Sequence, residues 1–186
     1  MKDINLLTAE SSIFLKKIKS KDNIIKDDNC DGYLVEANEK EARKIIDFLK
    51  GSGKIIALFG GENDFNRRAI ETLKINFLVS PERGNRGDSL RQKDSGLNHV
   101  VAKESAKKNI SIIVDISEIS KLSKEEKSDR IAEIIQNVKI CRKAKCKIKI
   151  ASLANENEKI INEYGRKSFG LILGMSTEQM RDAVEF

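Results

Sequence analysis

Short runs of β-branched residues alternate along this chain with charged segments that carry a helical pattern. Six runs have the length and composition of buried strands, namely residues 4–7, 32–35, 55–59, 75–79, 110–116 and 148–153. After the second run, Ala42, Ile45, Ile46 and Leu49 recur at helical spacing. Repeated strand and helix signals of this kind predict a parallel sheet covered by helices.

The longest predicted helix covers residues 124–145, because apolar residues repeat there every three or four positions. It ends in a basic cluster. Shorter helices are predicted after Gly60 and Gly61, from about residue 97 to 108, and near the end of the chain, where Ser176 and Gln179 have the spacing of a capping box. Six or seven strand–helix units therefore follow one another in 186 residues.

This number of units in so short a chain favours one α/β architecture. We expect a compact or incomplete (β/α) barrel, TIM-like in topology, and keep a doubly wound open sheet as the alternative. A hydrophobic content of 39% supports one substantial core. We therefore predict a single domain over residues 1–186.

Charge favours a polyanionic partner without proving one. Lys and Arg number 35 against 29 Asp and Glu, and the net charge is +6 with a pI near 9.1. A basic surface attracts phosphates, but many basic proteins bind no nucleic acid. With 5% aromatic residues and no Trp, stacking on bases is poorly supported, so any RNA recognition should rest on the backbone.

The cysteine and hydropathy patterns indicate where the protein works. Cys30, Cys141 and Cys146 form no C-x-x-C pair, which fits buried structural thiols in a reducing compartment. No apolar run approaches the roughly 18 residues needed to span a bilayer. We expect a cytoplasmic protein with no membrane partner.

Few residues could support catalysis by the chain itself. His99 is the only histidine, so a His-rich metal site is excluded, and no G-x-S-x-G turn presents a nucleophile. Gly60 and Gly61 could let a backbone approach a phosphate, but their spacing matches neither a dinucleotide nor a Walker loop. A tight turn between strand and helix is the favoured interpretation of this glycine pair.

Residues 78–109 have the strongest signal for binding. Their loop carries Arg83, Arg86, Arg91 and Lys93 and leads directly into a helix N-terminus. Unpaired amides at such a terminus attract anions, and arginines make bidentate contacts with phosphate. A phosphate-binding surface is therefore predicted here.

The helix that follows this loop has a predicted cap and two predicted faces. Asp94 or Ser95 can cap it, and Gly96 keeps its first turn open. We expect a polar face made by His99, Lys103 and Lys107, and an inward face made by Leu97, Val100 and Val101.

The sequence KDSGLNHV at residues 93–100, followed by Ala102 and Lys103, resembles the signature of the ribonuclease P protein component 3 family. The strand that ends at Pro81, the basic end of the long helix and the segment GLILGM at residues 170–175 also resemble that family, so the likeness covers essentially the whole chain. It implies a barrel related to the polymerase and histidinol phosphatase type of phosphoesterase.

The resemblance also implies a role. Members are protein subunits of the ribonucleoprotein that removes the 5′ leader of precursor tRNA, and its RNA component holds the catalytic Mg2+. The chain would then contribute no catalytic residue and bind no metal or cofactor itself. Its implied partners are the ribonuclease P RNA, a ferredoxin-like protein subunit and, through the assembled particle, precursor tRNA.

With that role, basic and polar residues in three regions are expected to contact the RNA backbone. These are Arg67, Arg68, Arg83, Arg86, Arg91, Lys93, Ser95, His99, Lys103, Arg166 and Lys167. Two other interpretations remain open. One is a metal-dependent phosphoesterase of the same barrel type that uses carboxylates, and the other is a metabolite-binding barrel that holds a phosphate at residues 93–99.

Overall fold

The computed structural model describes residues 2–8, 12–25, 29–84 and 93–186. Seven strands form one sheet in which every neighbouring pair is parallel and sequence order equals spatial order. They are β1 (Asp3–Asn5), β2 (Ser12–Ile18), β3 (Gly32–Val35), β4 (Ile55–Phe59), β5 (Phe77–Val79), β6 (Ser111–Asp115) and β7 (Ile148–Ala151).

The two edges of this sheet meet, so the fold is a barrel and not an open sheet. Just beyond β7, Leu153 N donates to Ile4 O at 2.9 Å, and Leu6 N donates to Ala154 O at 2.8 Å. These bonds bring β7 beside β1. The predicted TIM-like barrel is thereby confirmed, with seven strands.

Helices cover the outside of most of the barrel. They are α1 (Glu39–Leu49), α2 (Asn63–Thr72), α3 (His99–Lys107), α4 (Ile116–Lys121), α5 (Lys124–Ala144), α6 (Glu163–Ile172) and α7 (Thr177–Ala183). In the described part of the chain no α-helix follows β1 or β2, which makes the helical layer incomplete. The capping box predicted at Ser176 and Gln179 is present at the start of α7.

The barrel separates two apolar cores. The interior is filled by side chains from every strand together with Leu153, namely Ile4, Ile13, Leu15, Leu34, Ala57, Phe59, Val79, Ile113, Ala151 and Leu153. A larger cluster lies between the strands and the helices, and the four residues predicted to face inward from α1 all belong to it. The three cysteines are buried and unbridged, as predicted.

Strand β2 was missing from the sequence prediction. Its inward residues Ile13 and Leu15 are buried, but Lys16 and Lys17 interrupt the apolar run. Because side chains alternate along a strand, Lys17 shares the inward face of Ile13 and Leu15, but it lies near the carboxyl end of β2, where its ammonium group is 2.9 Å from Glu36 Oε2. The two lysines therefore explain why the hydrophobic pattern did not predict this strand.

All strands point the same way, which gives the barrel two distinct ends. We call the end at the carboxyl termini of the strands the upper end; α1, α2, α3 and α5 begin there. We call the opposite end, where those helices finish and the next strands start, the floor. No described helix is long and apolar enough to cross a membrane.

Candidate nucleic-acid interface

Residues 93–98, which we call the signature turn, lie at the upper end between α2 and α5. Asn63 Nδ2, in the first turn of α2, donates to Asp94 Oδ2 at 2.7 Å. On the other side, Gln136 Nε2 of α5 donates to Lys93 O at 2.7 Å, and Lys93 Nζ lies 3.0 Å from Asp129 Oδ1. Both neighbouring helices thus hold the start of the turn.

A buried asparagine in α2 joins the signature turn to two other loops. Asn66 Nδ2 lies within hydrogen-bond distance of three carbonyl oxygens, those of Gly61 at 2.9 Å, Pro81 at 2.8 Å and Gly96 at 3.1 Å. Its Oδ1 accepts from Gly61 N at 2.8 Å. Because buried carbonyls need partners, this side chain fixes the loops after β4 and β5 to the turn.

A second buried asparagine holds the turn from the side of α5. Asn137 Nδ2 donates to Ser95 O at 3.0 Å and to Glu82 Oε2 at 3.3 Å. Burial raises the pKa of Glu82 to about 7. Near neutral pH this carboxyl can therefore keep a proton, and the nearby buried Asn137 Oδ1 and Ser95 Oγ are acceptors with no hydrogen-bond partner.

The cap of α3 differs from the prediction. Asn98 precedes the first helical residue, and its Oδ1 accepts from Val101 N at 2.9 Å. The predicted caps are wrong, because Asp94 Oδ1 accepts instead from Gly96 N at 3.3 Å and Ser95 is buried. Gly96 adopts φ +73°, so the chain reverses there before the helix can begin.

The outer face of α3 carries the exposed part of the signature. His99 and Lys103 face solvent, whereas Val101 and Ala102 are buried. The predicted inward position of Val100 is wrong, since 73% of this residue is exposed. Its spacing from Lys103 places it on the same outer face.

Arg83 lies in the mouth of the barrel and is held by two carboxylates. Its Nε is 2.7 Å from Glu118 Oε1, its Nη2 is 3.0 Å from Glu36 Oε1, and its guanidinium lies 4.2 Å from the centre of the Phe59 ring. Lys17 also contacts Glu36, at 2.9 Å. Burial opposes ionisation of Glu36, but hydrogen bonds from Lys17 and Arg83 lower its pKa overall.

The mouth contains a cavity of about 560 Å³, in the position that TIM-like enzymes use for catalysis. Asp115, which lines it, accepts from Glu118 N at 3.1 Å, and burial raises the pKa of Asp115 to about 6. Among the described residues, no three His, Cys, Asp or Glu side chains are grouped to hold a metal ion. Arg83 supplies the positive charge between Glu36 and Glu118.

Most of the other predicted contact residues are engaged within the protein. Arg67 Nε is 2.8 Å from Glu71 Oε1, Arg68 Nε is 2.7 Å from Glu39 Oε2, and Lys167 pairs with Glu163. Arg67 and Arg68 are still half exposed. The predicted Arg86 and Arg91 lie outside the described residues.

The expectation that Arg166 contacts RNA is corrected by its burial. Only 2% of this residue is exposed, and its Nη1 lies 3.0 Å from Asp3 Oδ1. The pair joins α6 to β1 beside the closure of the barrel. A buried charge needs its partner, so Arg166 is a structural residue.

The turn at Gly60 and Gly61 is a packing feature, as the favoured interpretation predicted. A Cβ atom built on Gly60 would lie 2.5 Å from Pro81 Cα and 2.9 Å from Ser80 O. Glycine is therefore required for close contact between two loops.

Sequence reasoning missed the two residues that organise this end of the barrel, Asn66 and Asn137. A signal for Asn137 was present, because it follows Ile134 by three positions and precedes Cys141 by four, on the buried stripe of α5. A polar residue within an apolar stripe needs hydrogen-bond partners. Those partners lie 42 and 55 residues away along the chain, so only the fold identifies them.

No family model matches the chain. It is similar to ribonuclease P protein component 3 of Methanococcoides burtonii, with 28% identity over 102 residues, which are 51% of this chain and 39% of the relative. The protein of the same name from Methanocaldococcus jannaschii is 24% identical over 132 residues, 71% of this chain and 54% of the relative. The chain therefore spans about half the length of the curated relatives it matches, and the predicted resemblance is confirmed.

Two solved structures share the fold. A chain in a cryo-EM structure of archaeal ribonuclease P with mature tRNA superimposes with a TM-score of 0.72 at 21% identity, covering 94% of this chain and 83% of that one. An amidohydrolase superimposes with a TM-score of 0.54 at 12% identity, covering 82% of this chain and 40% of the enzyme. The first superposition includes nearly the whole barrel.

Proposed function

We propose that this protein is a subunit of ribonuclease P and takes part in removing the 5′ leader from precursor tRNA. The observation that carries the proposal is the similarity to several archaeal proteins named ribonuclease P protein component 3. The barrel superposition at a TM-score of 0.72 supports it over 94% of the chain. Its partners would then be the ribonuclease P RNA, precursor tRNA and a ferredoxin-like protein subunit, in the cytoplasm.

The geometry of the signature turn fits a binding role better than a catalytic one. Asn66 and Asn137 fix the turn from opposite sides, and α3 then presents His99 and Lys103 to solvent. A fixed loop that ends in exposed donors and a helix N-terminus suits contact with phosphates. On this proposal the catalytic Mg2+ belongs to the RNA component, and the chain itself binds no cofactor.

Reconstitution of the particle tests the proposal. Cleavage of precursor tRNA at limiting Mg2+ is measured for the cognate RNA with its other protein subunits, with and without this chain. We expect the chain to raise the cleavage rate at least tenfold, and expect the chain alone to cleave nothing. Equal rates with and without the chain would overturn the proposal.

A control separates this role from that of an independent phosphoesterase. The isolated chain is incubated with a generic phosphoester and Mn2+ or Mg2+, beside an Asp115→Asn variant. Hydrolysis by the wild type that the variant loses would show that the mouth is an active site. We expect no hydrolysis by either protein, because Arg83 and Lys17 already pair with the carboxylates Glu36 and Glu118.

A further inference from the structure

Four exposed lysines gather at the floor beneath β5, β6 and β7. They lie in the turns that lead into β5 and β7 and in the last turn of α5, and we call them the floor arc: Lys74, Lys143, Lys145 and Lys147. No ion pair or hydrogen bond joins their ammonium groups to the described residues. This part of the basic surface is therefore open to a partner.

The register of the sheet brings these lysines close together. Asn76 O, two residues after Lys74, accepts from Ser111 N at 3.0 Å, and Lys147 O accepts from Ile112 N at 2.9 Å. Adjacent strands lie about 4.8 Å apart, so Lys74 and Lys147 lead into strands separated by roughly 10 Å. That separation spans about two phosphates of a nucleic-acid strand.

Favourable interaction with the C-terminal ends of helix dipoles does not explain the positions of all four lysines of the floor arc. Cations are favoured in the last turn of a helix, and this effect falls off beyond that turn. Lys143 lies in such a turn, but Lys74 and Lys147 follow the ends of α2 and α5 and precede strands. In addition, Lys108 Nζ already donates to Ile70 O at 3.1 Å, at the end of α2.

Acidic side chains at this end cancel only part of the charge. Glu71 pairs with Arg67, and Glu104 pairs with Lys107 at 3.7 Å and Lys108 at 3.6 Å. Two further acids, Glu178 and Asp182, line a groove beneath α7 that is also lined by three cations, Arg142, Lys145 and Lys147. Together with Lys74 and Lys143, these cations leave the floor arc positive.

We infer that the floor arc binds the phosphate backbone of RNA, as a second contact surface separate from the signature turn. Lysine ammonium groups on flexible stems suit phosphate as point charges. The two surfaces are separated by α3, whose nine residues measure about 14 Å along the axis. The inference rests on the proposed function. With two separate contact surfaces, the subunit could bind two segments of the RNA at the same time.

The test compares two triple variants with equal change in charge. The floor variant carries Lys143→Gln, Lys145→Gln and Lys147→Gln. The control carries Lys40→Gln, Lys121→Gln and Lys124→Gln at three other exposed lysines, all at the upper end. Affinity for the ribonuclease P RNA is measured for both variants and the wild type at several salt concentrations, after thermal melting shows that all three proteins are folded.

We expect the floor variant to reduce the slope of log affinity against log salt by about two to three, because each lost phosphate contact removes about 0.7–0.9. The control should reduce it by less than about one. Equal slopes for the two variants would overturn the inference. So would a floor variant that binds RNA like the wild type but no longer joins another protein subunit, since the arc would then contact protein.

These outcomes are separate from failure of the proposed function. That failure shows in the wild type, which would bind the RNA without preference and leave cleavage unchanged. Wild-type activity together with an unaffected floor variant would reject the floor arc alone.

Discussion

The two ends of the barrel carry positive charge in different ways. At the upper end, Arg83, Lys93 and Arg68 lie against carboxylates from other elements. At the floor, Lys145 and Lys147 extend toward solvent without an ion partner in the described structure. A basic residue in a long loop can therefore be structural, while a lysine in a short turn is available for binding.

The upper end gains rigidity from its internal bonds. Asn66, Asn137 and Arg83 each join segments that are distant in sequence, so the signature turn is held in one geometry before any partner binds. Among the described residues, the four lysines of the floor arc take part in no comparable network. If both ends bind RNA, the upper end would bind as a preorganised surface of fixed geometry. The flexible lysine side chains of the floor arc could instead adjust to the positions of the phosphates.

The largest effect should follow removal of Asn66. Asn66→Ala leaves three carbonyls and one amide without their partner, so we expect a loss of about 3–4 kcal/mol in the free energy of unfolding. Urea denaturation measures it. The matched control is Asn63→Ala, which loses the bond to Asp94 at the surface and should cost less than about 1 kcal/mol. Equal losses would mean that Asn66 does not organise the upper end.

The next effect is a pH dependence of the free energy of unfolding that arises from Glu82 at the upper end. Glu82 has a pKa of about 7 when folded against a usual 4.5, so the folded state binds more protons between these values. Stability should fall as pH rises from about 4.5 through 7, by up to about 3 kcal/mol from this group. Asp115, with a pKa of about 6, acts in the same direction.

Glu82→Gln should remove most of this dependence, because an amide does not titrate and can still donate a hydrogen bond. We expect the variant to be more stable than the wild type at pH 8 and to differ little from it at pH 5. Denaturation at both pH values is the measurement. A pH dependence identical to that of the wild type would show that Glu82 is ionised in the folded protein.

A smaller effect is expected from the barrel mouth. Arg83→Met keeps the packing on Phe59 and removes the charge between Glu36 and Glu118, which should cost about 1–2 kcal/mol of stability. RNA affinity, in contrast, should change less than in the floor variant. A larger loss of RNA affinity, with the fold intact, would make Arg83 an RNA contact and weaken the contrast between the two ends.

The smallest change in stability should come from the exposed face of α3. His99→Ala combined with Lys103→Ala removes no described hydrogen bond or ion pair of their side chains, so unfolding should shift by less than about 0.5 kcal/mol. RNA affinity should still fall about three- to tenfold, with a salt slope lower by about one. Unchanged affinity in a binding titration would leave the floor arc as the main RNA surface.

Local pattern predicted most of the fold but not its closure. The apolar stripes of α1 and α5 and six of the seven strands follow from spacing that neighbouring residues set. Strand β2 escaped prediction because Lys16 and Lys17 break its apolar run. The join between β1 and β7 depends on residues about 150 positions apart, which no local pattern reports.

The candidate site divides in the same way. The signature turn and the exposed polar residues His99, which is the only histidine, and Lys103 could be recognised from the sequence. The N-cap of α3 could not be predicted, because Asp94, Ser95 and Asn98 are all residue types that cap helices. The left-handed conformation of Gly96 delays the start of the helix, so that Asn98 becomes the cap. The basic cluster at the end of α5 could be recognised from the sequence, but the sequence did not show that its lysines are free to contact a partner.

The sequence by itself determined the α/β class with its repeated strand–helix units, the position of the signature turn and the likeness to ribonuclease P protein component 3, because each depends on short-range spacing. Only the tertiary structure decided which charges are open to a partner. Arg83 meets Glu36 across 47 residues and Arg166 meets Asp3 across 163. An ion pair needs atoms within a few ångströms, and distances of that kind between remote residues exist only once the barrel has closed.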